Sequence, residues 1–175
     1  TLLRLGEVDR GLEVTSEAAA DLSEEYAPLV GAVRALALTH AGAVEAARRR
    51  LVQIDDDSVP EPWVHSVLAL AWMHVGDLER AQDSWSDGAW ADASDPAMWV
   101  GSAMTAALQG DTEQVREDVA AVRGDFERDD AGLTVAYALA LAREGEMAAA
   151  REELVWLEEE DWPGDYEWIH ELYLA

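Results

Sequence analysis

The sequence contains no cysteine, no lysine and no asparagine. The missing cysteine rules out a disulfide framework, a thiolate metal site and a thiol nucleophile. It also fits a reducing compartment, so a cytoplasmic protein is the expectation. The missing lysine leaves 12 arginines against 37 acidic residues, a net charge of −25. Phosphate backbones and anionic lipids are gripped by clustered Lys and Arg, so neither nucleic acid nor a membrane surface is an expected partner. The acidity reads as a solubilising or salt-adapted surface, as the complement of a basic partner, or as a DNA-mimicking face. No apolar run approaches the roughly 20 residues of a membrane span. The opening Thr1-Leu2-Leu3-Arg4 lacks the layout of a signal peptide, and a start on Thr rather than Met reads as a fragment of a longer chain.

Several signatures of catalysis and ligand binding are missing as well. There is no Gly-x-Ser-x-Gly elbow, no phosphate-cradling Gly-x-x-x-x-Gly-Lys and no His-Glu-x-x-His. The acidic runs Asp55-Asp56-Asp57, Asp129-Asp130 and Glu158-Glu159-Glu160-Asp161 lack the glycine and distal Glu of a calcium loop. They read as solvated charge at loops and helix ends. No cofactor, metal site or catalytic residue is therefore expected. Sustained two-residue alternation and Asn-Gly turns are also absent, so no strand is expected.

What is present is a chain of 175 residues, half of them hydrophobic, long enough for one domain with a real core. Gly42, Gly76, Gly110 and Gly145 follow one another at spacings of 34, 34 and 35 residues. A fixed period of this size is the mark of stacked repeats, each burying its face against its neighbours. If each glycine ends a helix in the left-handed conformation, the beat also sets a phase. Seven residues before it stand Ala35, Ala69, Ala103 and Ala138; five after it stand Ala47, Ala81, Val115 and Ala150. Nine after it come Leu51, Trp85, Val119 and Leu154; four before it come Leu38, Trp72, Ala106 and Leu141. Small positions facing large ones suit a tight helical hairpin. Val64, Val67, Leu68, Ala71, Trp72 and Val75 repeat at helical spacing, as do Leu78, Ala81, Trp85 and Ala89. Pro28, Pro60, Pro62, Pro96 and Pro163 fall before the first helices of the repeats. The fold class expected is all-α, with about ten helices or fewer.

Leu68-Ala69, Trp72, Gly76-Asp77, Ala81, Trp85 and the later Pro96 resemble the tetratricopeptide repeat. The resemblance runs through four repeats, Ala27–Ser58, Pro60–Ala93, Asp95–Phe126 and Asp129–Asp161. A partial repeat precedes them within residues 1–24, and a terminal helix follows over 163–175, with Trp168 as its leading aromatic. Gly88 and Val115 depart from the family's alanines. Gly31, His65 and Thr134 stand where it has an aromatic, which only Trp99 supplies in the interior. Ser86-Asp87-Gly88-Ala89 is expected to fray its helix. The resemblance implies antiparallel helix hairpins stacked as a right-handed α-solenoid, with the first helices lining a concave groove.

In that phase the first repeat presents Leu29, Ala32, Leu36, Thr39 and His40, and the second presents Trp63, Ser66, Leu70, Met73 and His74. The third presents Ala97, Val100, Met104, Ala107 and Leu108, and the fourth Val135, Leu139, Ala142 and Arg143. Such an apolar, methionine-bearing surface suits a peptide or amphipathic helix. The function expected is a non-catalytic protein-interaction scaffold. The alternative occupant is the chain's own Trp168, Ile169, Leu172 and Tyr173. The clamp by which related repeats grip C-terminal carboxylates needs Lys, Arg and Asn, of which only Arg143 is at hand.

Two other functional classes remain open. One is a helical-repeat enzyme, or a hydrolase-type accessory domain, built around His40, His74 and carboxylates. The other is a salt-adapted module that self-associates through its open ends. His40 and His74 share one register, but stacked helices lie roughly 10 Å apart, too far for a shared metal without other ligands. Capping of helix C-termini is their expected role, while His65 and His170 show no ligand spacing. Of eight tryptophans, Trp72 and Trp85 fit core positions, and Trp63, Trp90, Trp99 and Trp162 lie near repeat junctions as fillers or partner anchors.

Overall fold

The structure is a computed structural model that describes residues 26–54, 61–125 and 131–159, with residues 125 and 156–159 as backbone only. Among the described residues there are eight helices and no strand: α1 Ala27–His40, α2 Val44–Leu51, α3 Pro62–His74, α4 Leu78–Ala91, α5 Pro96–Gln109, α6 Thr112–Asp125, α7 Ala131–Arg143 and α8 Met147–Glu159. The chain is all-α. None of these helices is long and apolar enough to cross a membrane. The partial repeat within 1–24, the terminal helix over 163–175, the Asp55-Asp56-Asp57 and Asp129-Asp130 runs and Trp162 lie outside the described residues.

One turn recurs four times. Gly42, Gly76, Gly110 and Gly145 all adopt positive φ, at +76°, +76°, +86° and +87°. A side chain there would crowd the backbone, which is why glycine keeps the beat. The residue after each glycine donates its N–H to the carbonyl five back: Ala43 to Leu38 (2.8 Å), Asp77 to Trp72 (3.0 Å), Asp111 to Ala106 (2.9 Å) and Glu146 to Leu141 (2.9 Å). This Schellman closure satisfies carbonyls that the helix end leaves free. The same residue then opens the next helix. Asp111 Oδ1 accepts from the Gln114 N–H at 3.1 Å, and Asp77 Oδ1 from the Arg80 N–H at a longer 3.4 Å. Prolines stand in the first turns of α1, α3 and α5, where a missing N–H costs nothing.

The helices form two compact bodies, Thr1–Ser94 and Asp95–Ala175. In the first, α1 pairs with α2 and α3 with α4 as hairpins; α1 also lies against α3, and α2 touches α3. The second repeats the scheme: α5 with α6, α7 with α8, α5 against α7, and α6 against α7. Ala35, Ala69, Ala103 and Ala138 are buried, as are Ala47, Ala81, Val115 and Ala150. Burying a methyl rather than a longer side chain lets paired backbones approach closely. Leu51, Trp72, Trp85, Val119 and Leu141 fill the space beside them. Leu154 differs, being exposed on α8, beyond which no helix is described.

One detail departs from the sequence-based expectations. The segment Ser86-Asp87-Gly88-Ala89 does not fray: α4 runs unbroken to Ala91, and Asp92 donates to the Gly88 carbonyl at 2.9 Å. Burial of Trp85 and Gly88 outweighs the poor helix propensity of Ser, Asp and Gly. At Gly31 the space for a side chain is already taken. A Cβ built there would stand 2.9 Å from Ile54 Cδ1, so the Ile54 side chain occupies that space.

Candidate functional site

His40 is the last residue of α1, and His74 the last of α3. Both precede a beat glycine by two residues, so the Gly-closed turns bring the two helix ends to the same level. Their ring centroids are 5.4 Å apart with planes tilted by 48°. This corrects the expected separation of roughly 10 Å, which applied the spacing of helix axes to the side chains; rings directed into the space between the helices close about half of it. His40 is exposed and His74 half-buried. Burial, followed by repulsion from His40, pushes the His74 imidazole below the ordinary histidine value.

Arg48 of α2 secures the same end of the body. Its Nη2 donates to the Val75 carbonyl at 2.6 Å, and its Nη1 lies 3.9 Å from Asp77 Oδ2. The guanidinium therefore neutralises one carbonyl and one carboxylate at the foot of α3. Arg80 lies over the Trp72 ring at 4.6 Å, a cation–π contact against a buried indole.

The remaining residues expected in the groove divide sharply. In the first body Trp63 is 46% exposed, and Leu36, Ser66 and Leu70 are half-buried. The Ser66 hydroxyl donates to the Trp63 carbonyl at 2.6 Å and so is spent locally. Met73 is buried. In the second body Val100 and Met104 belong to the core with Val115, Val119 and Leu133, so they offer packing rather than open surface. Leu108 is 41% exposed, Val135 and Leu139 are half-buried, and Arg143 is exposed, its Nη2 donating to the Leu108 carbonyl at 3.4 Å.

Two polar features were not anticipated from the sequence. Arg116 of α6 pairs with Glu144 and lies 3.8 Å from Glu146, both in the turn that follows α7. Hydrogen bonds from Arg116 and Thr112 hold Glu144 below the usual carboxylate range. Arg48 and Arg116 each stand six residues after a beat glycine and reach the next such turn; that common offset was the available signal. The second feature is Asp118 of α6, only 1% exposed. Its Oδ1 accepts from Gln114 Nε2 at 2.9 Å, while Oδ2 is buried without a hydrogen-bond partner. Burial pushes its carboxyl up to about 6; Ser102 and Gln114 oppose the shift, and Glu117 and Asp111 add to it. Its place in the apolar stripe Val115, Val119, Val122 was the signal.

Among the described residues no group of three or more His, Asp or Glu side chains is set to hold a metal ion. The two imidazoles at the ends of α1 and α3 make a pair, without a third such ligand among the described residues. Among known proteins, the chain matches no family model and no curated sequence.

Proposed function

We propose that this chain is a non-catalytic interaction scaffold of tetratricopeptide type, a right-handed α-solenoid that takes an apolar or amphipathic helix against its first helices. The single observation behind the reading is a plan common to both bodies, two glycine-closed hairpins stacked through their first helices. Four alike glycine turns, the same helix-on-helix contacts within each body and, once in each body, an arginine at one offset reaching the next turn are what a stacked repeat would give. Repeats of this kind present extended surfaces rather than enclosed pockets. The surface favoured for the partner is that of α1 and α3, where Trp63, Ser66 and Leu70 share a helical face and Leu36 lies on the adjoining helix. Trp63 is the anchor, a large amphipathic ring left half-open beside apolar neighbours. Leu108 and Arg143 are the corresponding exposed positions of the second body, and Val135 and Leu139 are half-buried there. Basic flanks on the partner suit the net charge of −25, and a cytoplasmic setting suits the absence of cysteine.

The test is selection of helical peptides from a displayed library against the whole chain, followed by affinity measurement with purified peptide. Trp63→Glu and Leu70→Glu are each expected to weaken binding by about tenfold or more, the loss of an interface anchor. Full affinity in both variants, with circular dichroism unchanged, sinks the proposal.

A further inference from the structure

We propose that His40 and His74 form a two-histidine site for a zinc-class transition cation, with water completing the coordination shell. The first argument is distance. Zn–N bonds of about 2.1 Å, ring radii of about 1.1 Å and a tetrahedral angle put two imidazole centroids about 5 Å apart. The observed 5.4 Å meets that separation, and His40 is exposed, with room to turn its ring.

The second argument is the field. Both residues end helices, so the negative ends of two macrodipoles meet at the pair. Arg48, at the same end of the body, is already committed to the Val75 carbonyl and Asp77.

The third argument comes from the repeat itself. The same register position is Leu108 in α5 and Arg143 in α7, each followed by the same glycine turn. The turn therefore makes no demand for histidine, and two adjacent imidazoles need another reason. Neutral imidazole is a preferred ligand of zinc and copper, whereas calcium and magnesium take oxygen ligands. This separates the site from the acidic surface around it.

The experiment uses the whole chain, stripped of metal, with zinc ion as the probe. Calorimetry is expected to show one site per chain, and NMR to show two of the four histidine imidazoles shifting on saturation. His40→Gln and His74→Gln should each lower affinity by about tenfold or more. The thermal midpoint should rise with zinc in the parent chain but not in either variant, since a ligand that binds only the folded state stabilises it. Excess calcium should leave zinc binding intact. Unshifted imidazoles, unchanged affinity in both variants, or displacement by calcium would each assign the ion to surface carboxylates and overturn the proposal. Circular dichroism of the two variants separates loss of the site from loss of the fold.

Discussion

Replacing Asp118 by Asn tests the account of the second body most directly. The carboxyl is raised from 3.8 to about 6 mainly by burial, so the folded chain holds this proton more tightly than the unfolded chain. Its contribution is fully present below the unfolded value near 3.8 and is lost as pH rises through about 6. With these two values, linkage gives a loss of about 2 kcal/mol between about pH 4.5 and about pH 7.5. Asn has nearly the same shape and does not ionise. The stability difference between Asp118→Asn and the parent should therefore shift in favour of Asn by about 2 kcal/mol over that interval. Urea unfolding followed by tryptophan fluorescence at both pH values reads it. The other carboxylates titrate in both proteins, so their effect cancels in the difference. A difference that stays constant with pH would refute the burial-driven shift, whatever the absolute stabilities.

Three further outcomes follow from the turns and joints. Gly76→Ala should cost about 1 kcal/mol or more in denaturant unfolding. Among the described residues nothing beyond its chain neighbours lies within 4 Å of the added Cβ, so the cost is backbone strain at φ +76°. Gly110→Ala should cost about the same at φ +86°, because the crowding atom, Arg143 Nη1 at 2.5 Å, is the far end of an exposed side chain that can move aside. Arg48→Met should cost about 1 kcal/mol, mostly from the lost hydrogen bond to the Val75 carbonyl. Added salt should change that cost little, because at 3.9 Å the pair with Asp77 is long and contributes little.

The turns were legible in the sequence because their cause is local. A left-handed residue at the end of a helix selects glycine with no help from the rest of the chain, and all four expected glycines adopt it. The buried alanines were legible for a related reason, since helical periodicity assigns a face before any partner is known. Asp118 shows the limit of that reasoning. Its position in an apolar stripe marked it, but whether a carboxylate there turns out to water or stays inside depends on α5 and α7 packing over α6. The expected groove shows the same limit, because Met73, Val100 and Met104 met neighbours and became buried while Trp63 and Leu108 stayed open. A helical period names a face; it does not say how much of that face a neighbouring helix covers.

The sequence by itself determined an all-helical chain with glycine-closed hairpins at a fixed period. Those features follow from backbone sterics and from side-chain spacing along one helix. Only the tertiary structure decided that His40 and His74 stand 5.4 Å apart, that Arg48 and Arg116 reach the following turns, and that Asp118 is buried. Each of these depends on the offset and closeness of helices distant in sequence. That placement is set by how side chains of both helices fill the space between them, which no single helix specifies.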